Sequence, residues 1–168
     1  MEMREATVRD VARIMEILDS AREYQRALGF CQWEDGYPSN GVIEADIATK
    51  GAYVFINGGM VVGYVFLAVG DRSYDNLTDT WLYDGKYGVI HRLAVSIEMR
   101  GKGVSRAILQ MVEHEFQNQG INIIKVDTGQ ENKIMQHVLE SNHYKSRGYR
   151  EFDWGWRVAY EKKLGMRS

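Results

Sequence analysis

The sequence predicts an α+β protein with α/β/α layering, in which six or seven apolar, β-branched runs alternate with amphipathic helices. Three features point to it. Between Tyr87 and Phe116 the apolar period changes from two to 3.6 across Arg100–Gly103, so a strand leads through a glycine-rich turn into a helix. Asn57-Gly58-Gly59 separates two β-branched runs, a strong hairpin signal. Tyr144–Phe152 and Arg157–Leu164 read as two closing strands turned at Asp153-Trp154-Gly155.

Taken in order, Met3–Ala6 is a short first strand, and Thr7 with Asp10 three residues on resembles a capping box. Val11, Ile14, Met15, Leu18 and Ala21 then form a helical stripe that runs towards Leu28 and stops at Gly29. Phe30–Gly41 is a turn-rich aromatic loop, followed by a short helix from Val42 to about Thr49. The hairpin strands are Ala52–Ile56 and Met60–Val69. Asp71–Lys86 has no period and is expected as a long surface loop. In the central strand, Val89, His91, Leu93 and Val95 alternate with Ile90, Arg92 and Ala94. Val104, Ala107, Ile108, Met111, Val112 and Phe116 line the helix beyond it, which Gly120 caps. Ile121–Val126 is a buried strand leading to Asp127-Thr128, and Glu131–Ser141 is a helix with Ile134, Val138 and Leu139 turned inward. No repeat or linker interrupts the chain, so residues 1–168 are expected to form a single domain.

Composition narrows the functional classes. Hydrophobic residues make up 45% and charged residues 26%, with a net charge of -2, so no global basic field for nucleic acid exists. Cys31 is the only cysteine, which fits a reducing compartment. Neither a leader-like segment nor an apolar run of about 18 residues is present, so a cytoplasmic protein with no membrane partner is expected.

The charge of the central turn is unusual. A helix start carries roughly half a positive charge from its free N–H groups, yet here stand Arg100, Lys102 and Arg106, with no acid from Met99 to Met111. Like charge on like is unfavourable unless an anion sits among them, and Gly101 and Gly103 can let backbone N–H groups close around an oxyanion. A solvated basic turn is the plainer alternative. GxxxxGK[ST] is absent, and GxGxxG fails because Arg106 stands where its third glycine belongs.

Arg100-Gly101-Lys102-Gly103-Val104-Ser105 resembles the Q/R-x-x-G-x-G/A signature of the GNAT superfamily of acyl-CoA-dependent N-acetyltransferases. His91-Arg92-Leu93-Ala94-Val95 is similar to that family's fourth strand, and Asn132-Lys133-Ile134-Met135 to the asparagine segment after its fifth. The departure is Ser105 in the last motif position, a small residue able to donate to phosphate. The resemblance implies a mixed, mostly antiparallel sheet of six to seven strands flanked by helices, with acetyl-CoA as acyl donor. It implies that Arg100, Gly101, Lys102, Gly103, Val104 and Ser105 wrap the pyrophosphate. Leu93, Ala94 and Val95 would meet the pantetheine arm and acyl group, and Asn132 and Met135 would add contacts. The loop between the first two strands would help form the acceptor site, which makes Trp33 and Tyr37 the candidate substrate residues.

Acetyl transfer to an amine faces a protonation problem, because with a pKa near ~10.4 only about one amine in a few thousand is neutral at pH 7. His91, on the strand with Leu93 and Val95, is one candidate base, since an unshifted imidazole has a pKa near ~6.5. Asp127, at the end of the fifth strand, is the other. Ordinary roles exist for both: a histidine bonded within the sheet, and an aspartate capping a turn. Many enzymes of this type carry a tyrosine seven residues after the asparagine, to protonate the departing thiolate. Here that position is Leu139, leaving water, Tyr144 or Tyr149 to substitute, or unassisted departure. His114, His137 and His143 match no zinc spacing, so no metal is expected.

The expectation is therefore an N-acetyltransferase acting in a ternary complex on a primary amine of a small molecule or peptide, working alone or as a homodimer. A non-catalytic acyl-CoA sensor is the alternative, motivated by Leu139. Three local cations give too small a phosphate footprint for nucleic acid.

Overall fold

A computed structural model describes residues 1–33 and 36–165; residues 34 and 35 of the aromatic loop lie outside the described residues. The strands are β1 (Glu2–Glu5), β2 (Ala52–Asn57), β3 (Met60–Val69), β4 (Tyr87–Val95), β5 (Ile123–Thr128), β6 (Lys145–Phe152) and β7 (Gly155–Lys163). The helices are α1 (Val11–Ala27), α2 (Asn40–Ala48), α3 (Arg72–Asp75), α4 (Val104–Asn118) and α5 (Lys133–Ser141). Hydrogen bonding orders the strands β1-β2-β3-β4-β5-β7-β6. β4 and β5 pair in parallel, whereas β1 with β2, β2 with β3, β5 with β7 and β6 with β7 are antiparallel. This is the mixed, mostly antiparallel architecture expected. Among the described residues no helix is long and apolar enough to cross a membrane.

The chain divides into two compact units, Met1–Leu67 with His91–Ile108 and Ala68–Ile90 with Leu109–Ser168. In the first, the Asp10 carboxylate accepts the Thr7 N–H at 2.8 Å, one half of a capping box, and takes two hydrogen bonds from Arg4 at 2.8 and 2.9 Å. α1 buries Ile14, Ile17, Leu18 and Ala21 against Ile43, Val54, Tyr64 and Ala94. It ends where the Phe30 N–H reaches back to the Gln25 carbonyl at 3.0 Å, a closure that Gly29 permits at φ 89°. In the β2–β3 hairpin, Gly58 and Gly59 hold φ of 59° and 80°, the two left-handed residues that a tight hairpin turn needs.

The second unit departs from expectation in the segment read as surface loop. α3 forms there because the Asp71 carboxylate accepts the Ser73 N–H at 2.8 Å, and it sinks Tyr74 to 0% exposure. Tyr74 packs with Tyr87, Val89, Ile123, Phe152 and Ala159, and Trp81 leans on that cluster. The fully buried Glu161 carboxylate straps the loop to the sheet by accepting the N–H groups of Leu82 at 2.9 Å and Tyr83 at 3.2 Å. Aromatics that enter a core one at a time leave no period to detect. On α5, Leu139 is buried but Ile134 is 50% exposed. With Asn132 as cap, the inward face runs through Met135, Val138, Leu139 and Asn142, and Ile134 falls at its edge.

The Arg4 hydrogen bond holds the Asp10 carboxyl below the usual carboxylate range, with burial opposing it. A folded-state pKa below the unfolded one contributes stability above the ordinary carboxylate pKa, and that contribution is lost as pH falls through the folded value. Asp10→Asn is therefore expected to lower the urea midpoint at neutral pH and to match wild type in strong acid. A constant offset at every pH would show that the carboxylate charge is irrelevant.

Candidate active site

The registered ladder between β4 and β5 consists of Tyr87 with Ile123, Gly88 with Ile124 and Val89 with Lys125. β4 continues to Val95 after the last of these pairs. Within that continuation Arg92 takes φ 54°, in the left-handed region that non-glycine residues rarely enter. A single residue of this kind breaks the two-residue alternation and re-aims its neighbours, as a bulge does. Strict alternation of side chains along β4 is therefore interrupted at Arg92. The His91 ring stacks on Phe66 at 6.1 Å between centroids, the same ring that the Arg92 guanidinium covers at 4.9 Å.

Arg92 is held there by Asp46 of α2. Its Nε donates to Asp46 Oδ2 at 2.9 Å and its Nη2 to Asp46 Oδ1 at 2.5 Å, while the Tyr64 hydroxyl donates to Oδ2 at 2.7 Å. Burial would lower the Arg92 pKa, but the hydrogen bond and charge of Asp46 outweigh it and the guanidinium stays fully charged. The Tyr64 phenol is pushed far up, by burial first and by Asp46 second. The Arg92 Nη1 also donates to the Tyr37 hydroxyl at 3.0 Å, and Tyr37 is 38% exposed. Tyr37 thus presents a phenol whose orientation is set from β4. Trp33 lies instead in the core cluster of the first unit at 8% exposure rather than standing open as a loop aromatic. Asp46 had no sequence signal, because an aspartate in a short helix is ordinarily solvated.

The turn before α4 divides its cations. The Arg100 guanidinium lies 3.7 Å above the Tyr24 ring of α1 with its Nε buried and unpartnered, and burial pulls its pKa below the ordinary value. The Arg100 N–H donates to the Ile97 carbonyl at 3.3 Å. Arg100 thus braces the turn against α1, while Lys102 and Arg106 are exposed. Gly101 and Gly103 both hold φ of 74° while Lys102 between them is not at positive φ, and turns in which the hand alternates can draw successive N–H groups towards an anion. A Cβ at either glycine would meet no atom within 4 Å, so the glycines serve conformation and leave open space. Val104 is buried at the first position of α4, whose first N–H groups have no intrahelical acceptor, and Ser105 is half-buried beside it. These features fit a pyrophosphate. On β4, Ala94 is in the core while Leu93 and Val95 are half-buried.

In the second unit, Asp127 lies on β5. Its Oδ1 accepts the Tyr74 hydroxyl in a short hydrogen bond and its Oδ2 accepts Trp154 Nε1 at 3.0 Å. The Asn132 side chain caps α5 by accepting the Met135 N–H at 3.1 Å, and the Met135 side chain is half-buried. Leu139 has 0% exposure, a core residue with no proton to give. Tyr144 is equally buried and donates to Glu113 at 3.0 Å, and burial followed by the Glu113 charge pushes its phenol far up. Tyr149 is exposed and packs on Trp156 at 5.2 Å.

The model of the acetyltransferase (GNAT) family matches residues 12–144, and the chain belongs to that family. A Streptococcus agalactiae acetyltransferase of the GNAT family is 32% identical, with a TM-score of 0.89 over 98% of this chain and 96% of that one. PaiA N-acetyltransferase from Thermoplasma acidophilum, in complex with coenzyme A, is 14% identical, with a TM-score of 0.74 over 97% and 98% of the two chains. YncA from Salmonella typhimurium, a putative acetyltransferase with its cofactor acetyl-CoA, is 18% identical, with a TM-score of 0.65 over 100% and 96%. These last two likenesses are of fold. No curated protein matches the sequence.

Because the Arg92 and Asp46 side chains are only 13% and 6% exposed, removing the carboxylate strands a buried cation. Asp46→Ala is expected to cost about 3–5 kcal/mol in a urea titration. A loss under about 1 kcal/mol would mean that water replaces Asp46 at no penalty.

Proposed function

We propose that the chain is an N-acetyltransferase that moves the acetyl group of acetyl-CoA to a primary amine of a small molecule or peptide, by direct attack in a ternary complex. The observation that carries this reading is the pair of left-handed glycines, Gly101 and Gly103, in the turn before α4, with Lys102 and Arg106 exposed beside them. Bound acetyl-CoA supplies an activated thioester whose thiol, with a pKa near ~8.5, is a good leaving group. The turn from Gly101 to Ser105 holds the diphosphate, and the main chain of Leu93–Val95 receives the pantetheine arm and orients the acyl carbonyl. His91, steadied on Phe66, takes the proton from the acceptor amine. With leucine at position 139, the thiolate leaves without an acid at that position. A reducing cytoplasm suits the exposed Cys31 thiol.

Two measurements test this. Gly103→Val forces a β-branched residue into φ 74° and is expected to weaken acetyl-CoA binding in calorimetry roughly tenfold or more, about 1–2 kcal/mol. Unchanged affinity removes the turn from the site. His91→Gln is expected to lower kcat by roughly 10²–10⁴, with recovery at alkaline pH where the amine deprotonates unaided. A uniform loss across pH would remove the base role. The buried Leu139 also favours a second reading, a sensor that binds acetyl-CoA without turnover. Thiol release with any amine excludes it.

A further inference from the structure

Tyr37 is held at both ends by guanidinium groups. Its carbonyl accepts Arg22 Nη1 at 2.6 Å, and its hydroxyl oxygen accepts Arg92 Nη1 at 3.0 Å. A phenol oxygen that receives a charged donor keeps its own proton, and the hydrogen bond polarises that O–H into a better donor. Among the described residues the Tyr37 hydroxyl donates to no acceptor, and the residue is 38% exposed. Arg92 uses Nε and one N–H of Nη2 on Asp46 and one of Nη1 on Tyr37, which leaves two of the five N–H groups of a guanidinium. Asp46 is the more deeply buried partner, its side chain 6% exposed against 13% for Arg92, so the positive end of the pair lies nearer solvent. A fixed phenolic donor beside that end is the chemistry that recognises a carboxylate.

Tyr37, Asp46, His91 and Arg92 all belong to the first unit, as does the turn from Gly101 to Ser105. The His91 imidazole and the Arg92 guanidinium bear on one Phe66 ring, at 6.1 Å and 4.9 Å from its centroid. An amine at His91 and a carboxylate at Tyr37 are therefore within the span of one small molecule. Resting on the amine-acetylation reading above, we propose that the Tyr37 hydroxyl and the remaining N–H groups of Arg92 bind a carboxylate of the acceptor, so that the acceptor is a small amino acid. Donors that compensate the carboxylate also keep its charge from holding the amine in the protonated, unreactive form. Tyr37 then sets the choice of acceptor, and Asp46 acts as a positioning residue through Arg92.

The test sets amino acids against the amines that lack their carboxylate: glycine with methylamine, 4-aminobutanoate with 1-aminopropane and 6-aminohexanoate with 1-aminopentane. Binding is read by calorimetry and turnover by thiol release from acetyl-CoA. In at least one pair, wild type is expected to prefer the acid tenfold or more in affinity and in kcat/KM, through KM, and to discriminate likewise against the amide of that acid. Tyr37→Phe keeps the ring and loses the hydroxyl, and it is expected to narrow the preference to under threefold. A merely structural role for Tyr37 would weaken acid and amine alike and leave the ratio intact. Equal binding within every pair by wild type, an amide that matches its acid, or an undiminished preference in Tyr37→Phe overturns the inference. Absence of thiol release with every amine, while the calorimetric preference persists and Tyr37→Phe removes it, overturns the N-acetyltransferase reading and leaves the carboxylate site standing. Thiol release that shows no preference for the acids does the reverse.

Discussion

The ion pair between Arg92 and Asp46 is the constraint on which the first unit depends. A non-glycine residue in the left-handed region costs roughly 1–3 kcal/mol, and burying two charges costs more, so neither persists unless the surroundings over-determine it. Here two hydrogen bonds from one guanidinium, with the Tyr64 hydroxyl satisfying a further lone pair, hold the side chain against the Phe66 face. The Arg92 backbone sits at φ 54° within β4. The residue lies between His91 and Leu93–Val95, and its guanidinium also donates to the Tyr37 phenol. One buried pair thus joins β4 to several candidate site groups.

The turn at the head of α4 is shaped by backbone conformation more than by side-chain charge. Arg100 looks in sequence like the first phosphate-binding cation, yet its guanidinium lies on Tyr24 and its N–H closes a turn on Ile97. Its cation–π contact braces the loop in which Gly101 and Gly103 both take left-handed φ. Fixed N–H dipoles need no reorganisation when an anion arrives, whereas a mobile lysine must be ordered first. Lys102 and Arg106 then contribute a screened, attractive field.

Much of the fold is legible in the sequence. The hairpin at Asn57-Gly58-Gly59, the strand-to-helix switch at Arg100–Gly103 and the closing hairpin follow from local rules that the chain obeys to within a few residues. The segment containing Tyr74 was not legible. A short helix capped by Asp71 that delivers one tyrosine to a core has neither length nor period, and the carboxylates that fasten this region, Glu161 and Asp127, come from distant strands. Trp33 shows the opposite error. An aromatic residue in a turn-rich loop reads as pocket lining, and hydrophobic burial drew it into the core.

Sequence alone determined the family, the order of the strands and of every helix but α3, and the glycine positions of the turn, because each is a matter of local chemistry: periodicity, left-handed φ and a motif contiguous in the chain. Tertiary structure decided which charges are spent within the protein and which remain for a ligand. Asp46 meets Arg92 across 46 positions and Tyr74 meets Asp127 across 53, and pairings over such separations depend on packing that no local pattern encodes.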